Sequence, residues 1–311
     1  MNGPARILVV ALAWALPLLA SAYTPTATPV AEGVYAIIGP TDGRTPENQA
    51  LNNNLGFVVT PEGVVLMDSG ASAQGAAAVE AAVGEVTDQP VRWVLNTGSQ
   101  DHRWLGNDYF RARGARIIAL EGTVATQKRF AQQHLERLRG ILGEALDGTR
   151  PAHAEPPLPG ERASLNLGGV PFELIFPGDA HFPGDALVWL PRQGVLFSGD
   201  VIYVDRMLGV HPWSDVVSWR EAFRNAMALE PAVIVPGHGQ VCDAAQARRE
   251  TGEYLDWLVT EVGAAVADWE PMGEAVERLS EAPAFSHLEH YDSWHRTNLN
   301  RTYLQLEGGG P

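Results

Sequence analysis

Short runs of β-branched and other apolar residues alternate along the chain with longer amphipathic stretches. Runs bounded by Gly, Pro or Asn are typical of buried strands, whereas apolar positions three and four residues apart are typical of helices. The pattern predicts strands at residues 33–39, 55–60, 64–68, 91–96, 117–120, 172–176, 186–190, 195–198 and 232–235. It predicts helices at residues 73–86, 123–146 and 218–229, and a mostly helical tail from residue 244. Strands and helices therefore follow each other in two cycles.

Two β-rich halves, each followed by helices, indicate two sheets packed face to face with helices outside. The second and third predicted strands are joined by Pro61-Glu62-Gly63 and read as a hairpin. A chain of this length can bury a large core. We therefore expect one α/β sandwich domain over residues 23–243, with residues 244–311 as a helical extension packed on the same domain.

The first 22 residues have the pattern of a secretory signal peptide. Arg6 supplies a positive charge, residues 7–19 are apolar, and Ala20-Ser21-Ala22 provides small residues at the cleavage position. The apolar run is shorter than the ~20 residues that normally span a bilayer, and Pro17 interrupts it. We expect cleavage after Ala22, a periplasmic or secreted bacterial protein, and no stable membrane span in the mature chain.

Composition narrows the class of partner. The single cysteine, Cys242, excludes an internal disulfide, and a domain of this size does not need one in the periplasm. Acidic residues outnumber basic residues by 37 to 22, so a phosphate-backbone partner is not expected. A small-molecule substrate is expected instead of nucleic acid, and the sequence does not determine the oligomeric state.

Residues of the metal-ligand types stand at or just after the ends of predicted strands. They are Asp101-His102, His181, Asp200 and His238. Ends of strands are where a rigid scaffold presents side chains into a cleft. Adjacent residues in a strand point to opposite faces, so Asp101 and His102 could share a metal only within a turn. Residues 97–100, Thr-Gly-Ser-Gln, provide one.

The segments that carry these residues also resemble the successive motifs of the metallo-β-lactamase superfamily. They are VVLMDSG, VLNTGSQDHRWLGN, PGDAHFPGDALVWLP, GVLFSGDVIY and IVPGHG, in the family's order. The resemblance covers most of residues 33–239. It implies an αββα sandwich with a metal site at one edge and zinc-dependent hydrolysis. Asp200 lies where glyoxalase II and the quinoprotein-associated exported hydrolases place a bridging aspartate, so these look like the nearer branches.

The first motif departs from the family. It normally reads His-x-His-x-Asp-His after a strand that ends in Asn-Thr, and this chain is one residue short between Asn96-Thr97 and Asp101-His102. Anchoring on Asn-Thr puts Gly98 and Gln100 at or beside the histidine positions, and anchoring on Asp-His puts Thr97 and Ser99 there. Neither register supplies an imidazole. The first metal site retains only His181 and Asp200, and Asp200 is shared with the second site. These are too few ligands for tetrahedral zinc.

By the same resemblance the second metal site is complete, with Asp101, His102, Asp200 and His238 as ligands. Two imidazoles and two carboxylates suit zinc but also iron(II) or manganese, and one ion is expected rather than two. Asp200, no longer bridging two metals, could act as general base, and His181 could contact substrate, shuttle protons or only hydrogen-bond its own loop.

Residues next to the predicted ligands could hold those ligands in place or contact substrate. Asp68 is expected to stabilise its turn and the first-motif loop, and Asp185 resembles a carboxylate that orients an imidazole. Arg103, Tyr203 and Arg206 lie next to ligand positions, where contact with substrate and a solvent-facing role are both open. Cys242 is expected to be a buried structural thiol.

Two functions remain open. The first is a periplasmic hydrolase that cleaves an ester, thioester, lactone or amide by attack of metal-bound hydroxide at the single site. Its helical tail could cover the cleft, as in glyoxalase II, although the acidic tail argues against glutathione-like anions. The second is a non-catalytic binding or accessory protein of a periplasmic redox or sulfur pathway. Missing first-site histidines favour the second function, and the intact second set favours the first.

Overall fold

Two mixed β-sheets form the centre of the computed structural model, which describes residues 23–309. The predicted signal peptide, residues 1–22, lies outside them. The first sheet contains, in spatial order, β1 (Ala27–Ala31), β2 (Val34–Ile37), β3 (Leu55–Thr60), β4 (Gly63–Met67), β5 (Val91–Leu95) and β6 (Arg116–Ile118). Strands β1 to β4 run antiparallel, and β4, β5 and β6 run parallel. The predicted hairpin of residues 55–60 and 64–68 is the β3–β4 pair.

The second sheet is built from the second cycle of strands. It contains β7 (Arg162–Leu167), β8 (Val170–Ile175), β9 (Leu187–Leu190), β10 (Val195–Phe197) and β11 (Val233–Val235), in the spatial order β11-β10-β9-β8-β7. Only β10 and β11 are parallel. The predicted ligands follow strands of the parallel pairs β4–β5 and β10–β11. The strands of each pair run in the same direction because a crossover connection joins them.

The inner faces of the two sheets share one apolar core. Val58 and Leu95 of the first sheet pack in the same cluster as Phe172, Val188 and Phe197 of the second. Near-continuous apolar runs such as Leu55–Thr60 are thus explained by burial on both faces of the sheet.

Helices cover both outer faces. On the first sheet lie α1 (Ala73–Gly84), α2 (Asp101–Trp104), α3 (Asn107–Arg111) and the long α4 (Glu121–Leu142). On the second lie α5 (Val216–Met227), α6 (Ala244–Ala247), α7 (Glu253–Ala267), α8 (Met272–Arg278) and α9 (Tyr291–Glu307). Helices, two sheets and helices make the αββα sandwich that the sequence predicted.

The tail packs on the second sheet and shares its core. Tyr254 and Leu258 of α7 and Leu299 of α9 belong to the same buried cluster as Trp219 of α5 and Leu196 of β10. Within residues 23–309, no helix is both long and apolar enough to cross a membrane. Cys242 is buried just before this tail begins, and burial raises the pKa of its thiol to about 12.

Candidate functional site

Three of the predicted ligands converge at one edge of the sandwich. His102 follows β5, Asp200 lies in a 3-10 turn directly after β10, and His238 follows β11. The Nε2 atom of His102 is 3.0 Å from Oδ2 of Asp200, and Nε2 of His238 is 3.2 Å from Oδ1 of the same carboxylate. The donor atoms of the three residues all lie within 4.8 Å of one another, and all three side chains are buried. The structure therefore brings these three predicted ligands together.

Asp101 is not brought to this cluster. It begins the short helix α2, where consecutive side chains do not face the same way. Its two carboxylate oxygens instead accept hydrogen bonds from Arg44 and Arg137. Burial alone would raise the pKa of Asp101, but the two guanidinium groups hold it well below its usual range. The fourth predicted ligand is thus held in ion pairs with two arginines that sequence reasoning did not single out.

Arg103, the next residue, points at Asp200 and is almost completely buried. Its Nη2 donates to Oδ1 of Asp200 at 2.6 Å and to the Gly237 carbonyl at 3.3 Å, and its Nε donates to Oδ2 of Asp200 at 3.3 Å. Its Nη1 donates to Asp68 at 3.0 Å and to the Asn54 carbonyl at 2.9 Å. All five N–H groups of the guanidinium are used. Arg103 is therefore a fixed internal cation of the site and does not face solvent.

The contacts decide between the two registers of the first motif. Counted without a gap from Asn96-Thr97, the motif His-x-His-x-Asp-His places its aspartate on His102 and its last histidine on Arg103. These are the two side chains that reach Asp200, whereas Asp101 points elsewhere. The structure thus agrees with the Asn-Thr anchor, and no residue is missing. Histidine and arginine replace the motif's aspartate and last histidine.

Asp68 ties this loop to the first sheet. Its Oδ1 accepts a hydrogen bond from the Thr97 backbone N–H at 2.7 Å, and its Oδ2 accepts from the Thr97 hydroxyl and from Arg103. Burial raises the pKa of Asp68 to about 6, against the opposing effect of Arg103. Asp68 therefore has the loop-stabilising contacts that its position at the end of a strand predicted.

His181 lies beside the cluster with one ring nitrogen committed. Its Nδ1 is 3.0 Å from the Gly209 carbonyl, so Nδ1 donates and Nε2 is the unprotonated nitrogen. Burial lowers the pKa of His181 to about 4, which keeps the ring neutral at neutral pH. Asp185 does not orient this imidazole: its Oδ2 accepts from the backbone N–H of Phe182, and burial and the charge of Asp200 raise its pKa well above the usual value.

The contacts of Asp200 do not suit the general-base role that the sequence suggested. Its two oxygens accept from His102, Arg103 and His238, which takes up the lone-pair directions of the carboxylate. Burial would raise its pKa, but Arg103 and His102 hold the pKa well below its usual range. A carboxylate in this state is a poor proton acceptor, so Asp200 is an anchor, and His181 is the group with a free acceptor nitrogen.

A cavity of about 290 Å³ opens above the cluster. Tyr203 forms one wall, with its ring stacked on His238 at a centroid distance of 4.7 Å. Residues that sequence reasoning missed also line the cavity, among them Arg44, Arg137, His211 and, from the tail, Trp294. His290 of the tail also lines it. His211 could have been noticed as a histidine soon after Asp200, but Arg44 and Arg137 carry no sequence signal.

The three converging donors have the composition of a one-metal site. Two imidazoles and one carboxylate are the three protein ligands that catalytic zinc sites commonly use, with a further position left for water or substrate. To bind a cation through Nε2, each neutral imidazole would carry its proton on Nδ1, and the contact of its Nε2 with Asp200 would be replaced by a contact with the cation. The donor set therefore fits one divalent cation held by His102, Asp200 and His238.

Gly237 is required by the close packing behind the cluster. A Cβ atom at this position would lie 2.4 Å from the Gly199 carbonyl and 2.8 Å from both Nη2 of Arg103 and Oδ1 of Asp200. We expect Gly237→Ala to lower the free energy of unfolding by about 2 kcal/mol or more, because overpacking a buried site typically costs 1–3 kcal/mol. Urea denaturation measures the change. Gly122→Ala is the control, since a Cβ there meets nothing within 4 Å. Equal stability of both variants would contradict the prediction.

Comparison with curated proteins finds relatives over part of their length. The chain is 27% identical over 151 residues to the 2,4-dinitroanisole O-demethylase subunit alpha of Nocardioides sp. (strain JS1661), a match that covers 48% of this chain and 41% of the relative. It is 29% identical over 80 residues to the metallo-beta-lactamase type 2 of Bacteroides fragilis, covering 24% of this chain and 32% of the relative. The chain thus spans less than half of the length of either relative.

Solved structures match over nearly their whole length. A metallo-beta-lactamase from Pontibacter korlensis superposes with a TM-score of 0.59 and 22% identity, over 75% of this chain and 99% of the other. The DIM-1 metallo-beta-lactamase superposes with a TM-score of 0.58 and 17% identity, over 75% and 98%. At these identities the likeness establishes the fold alone. The sequence profile described as the metallo-beta-lactamase superfamily matches residues 49–238, and the chain therefore belongs to that superfamily.

Proposed function

We propose that this protein is a hydrolase of a carboxylic ester, thioester, lactone or amide that works with one divalent cation, with zinc favoured over iron(II) or manganese. We further propose that it acts in the periplasm after export. The convergence of His102, Asp200 and His238 on the floor of a cleft carries the proposal. Many members of this superfamily are hydrolases that bind metals, typically zinc, and the three donors match that chemistry.

Each residue of the cluster has a distinct role in this proposal. His102, Asp200 and His238 would hold the cation, and Arg103 would keep Asp200 ionised and fixed in orientation through its two hydrogen bonds. When bound, such a cation polarises a carbonyl group and lowers the pKa of a water molecule towards neutrality. His181 has an unprotonated Nε2 in the cleft lining and would accept the proton that the attacking water loses.

A second function is favoured by two contacts. Arg103 already neutralises Asp200, and an Nη2 of Arg44 contacts Nδ1 of His102. A donor at Nδ1 requires His102 to carry its proton on Nε2, the nitrogen that a metal would need. These contacts support the alternative of a metal-free binding or accessory protein that keeps the fold.

Metal content and turnover separate the two functions. The full chain is purified from a periplasmic extract and its metal is measured by elemental analysis. It is then assayed with a panel of esters, thioesters, lactones and β-lactams, and separately with the aryl ether 2,4-dinitroanisole. The hydrolase predicts about one ion per chain, turnover of at least one compound, and loss of turnover on chelation with recovery on adding zinc. No stoichiometric metal would reject the hydrolase and support the metal-free binding protein. Full metal without turnover would reject both and leave a non-catalytic protein that binds a metal.

A further inference from the structure

The lining of the cleft is cationic although the protein is acidic. The formal net charge of the whole chain is −15. Among the residues that line the cavity, however, are Arg44, Arg137 and Arg206 together with several histidines, and none of them is an aspartate or glutamate. The carboxylates of the site, Asp101 and Asp200, are buried behind this lining. A ligand in the cleft therefore meets guanidinium groups first.

The positive charge of this lining is only partly compensated. Arg44 and Arg137 share the single carboxylate of Asp101. Arg206 forms no ion pair with a carboxylate of residues 23–309, and its Nη1 donates to the Thr41 carbonyl at 2.9 Å. Subtracting the one charge of Asp101 from the three arginines leaves about two positive charges facing the cavity. Burying uncompensated charge is costly, so an anionic ligand is the partner that would offset it.

Two donor atoms in the lining point to the same kind of ligand. The Nε atoms of Arg44 and Arg206 are buried and make no hydrogen bond to a protein group in the described part of the chain. Arg206 itself is only 9% exposed. The Arg206 guanidinium hydrogen-bonds within residues 23–309 through Nη1 alone, so its Nε–Nη2 edge can bind a carboxylate through two parallel hydrogen bonds. Nη2 of Arg44 already contacts Asp101 and His102, so from the same edge Arg44 can add only its Nε–H. A carboxylate group of a ligand could therefore accept hydrogen bonds from these unpaired donors.

We infer that the cleft binds its small-molecule ligand through a carboxylate group, held by Arg206 and Arg44 above the His102–Asp200–His238 floor. As a statement about the substrate, this rests on the proposed hydrolase function; as a binding site, it does not need it. Tyr203 links the two parts, because its ring stacks on His238 and lies 6.0 Å from the Arg206 guanidinium carbon. The ligand would place its carboxylate on the arginines and its cleavable bond over the floor.

The acidic character of the tail led us to expect no anionic ligand, and the cationic lining of the cleft reverses that expectation. The tail contributes His290 and Trp294 to the cavity, and its acidic side chains are not part of the lining. Local charge inside a cleft with low-dielectric walls, and not net charge, determines the sign of the ligand that enters. The acidic outer surface and a cationic cleft are therefore compatible.

Benzoate and its uncharged analogue benzamide test the inference. Each is titrated calorimetrically into the full chain, as purified and again after treatment with a chelator. We expect benzoate to bind at least about tenfold more tightly than benzamide in both preparations, because only the carboxylate offers a negative charge and two acceptor oxygens to the guanidinium donors. Arg206→Met should weaken benzoate binding by about tenfold or more. The control Arg162→Met, an exposed pair with Glu173 on β7 and β8, should change it by less than about twofold.

Each outcome decides the inference. Equal binding of benzoate and benzamide, or unchanged benzoate binding in Arg206→Met, overturns it. If circular dichroism shows that Arg206→Met is unfolded, Arg206→Gln takes its place with the same expected loss. Benzoate binding by a chain that hydrolyses no compound of the panel rejects the hydrolase and supports the carboxylate site. Turnover without preference for benzoate rejects the carboxylate site alone.

Discussion

Replacing Arg103 with methionine is expected to lower the free energy of unfolding by about 3–5 kcal/mol, because removing one partner of a buried ion pair leaves the other charge uncompensated. Here two carboxylates lose their partner, Asp200 and Asp68, and both are almost fully buried. Methionine preserves the length of the aliphatic stem, so the loss reports the guanidinium contacts. Urea denaturation followed by circular dichroism measures the change.

Arg162→Met is the matched control for this variant. Arg162 also pairs with a carboxylate, but its side chain is 57% exposed, and exposed pairs contribute about 0–1 kcal/mol. A cost for Arg103→Met as small as that of the control would mean that Arg103 does not hold the site together. Recovery of stability in the double variant Arg103→Met, Asp68→Asn would further show that the unpaired carboxylate causes the loss.

His238→Ala is expected to weaken zinc binding by more than about 100-fold, since even the outer partners of metal ligands are worth 10–100-fold. Asp101→Asn is expected to weaken it by less than about tenfold, because the Asp101 carboxylate pairs with Arg44 and Arg137 outside the donor group. Competition with a chromophoric chelator measures both affinities on protein whose fold has been checked by circular dichroism.

This pair of variants separates two readings of the first motif. If Asp101 were a ligand, as the Asp-His anchor implies, both substitutions would remove one donor and both losses would be similar. If the Asn-Thr anchor is correct, only His238→Ala removes a donor. Equal losses would therefore reject the placement of Asp101 between the two arginines.

Strands with an apolar core were predictable from the sequence, including the edge strands β6 and β11, whereas the largely exposed edge strands β1 and β7 were not. The run LGFVVT was predicted at residues 55–60 and is β3 with the same bounds. Strands β1 and β7 were missed. Both lie at an edge of a sheet and are largely polar or exposed, and β1 contains Pro29. These two strands bury little of their surface, so their sequences do not need the apolar pattern by which buried strands are recognised.

The loop after β5 has a conformation that the local sequence pattern did not predict. Sequence reasoning placed Asp101-His102 in a turn, and the structure forms the short helix α2 there. The burial of Trp104 and its indole hydrogen bond to the Ser99 carbonyl at 2.8 Å are tertiary contacts of this segment. Four residues cannot form a stable helix alone, so packing and not propensity determines the direction of each side chain.

The amino-acid sequence by itself determined the sandwich of two sheets, the edge at which the site lies, and the residue types present there. This is possible because apolar runs mark buried strands and turn residues mark their ends. Only the tertiary structure decided which of those residues meet. A rotation of about 100° per residue in α2 sends His102 to the cluster and Asp101 away from it. Arg44 and Arg137, distant in the chain, receive Asp101, and no local pattern encodes that meeting.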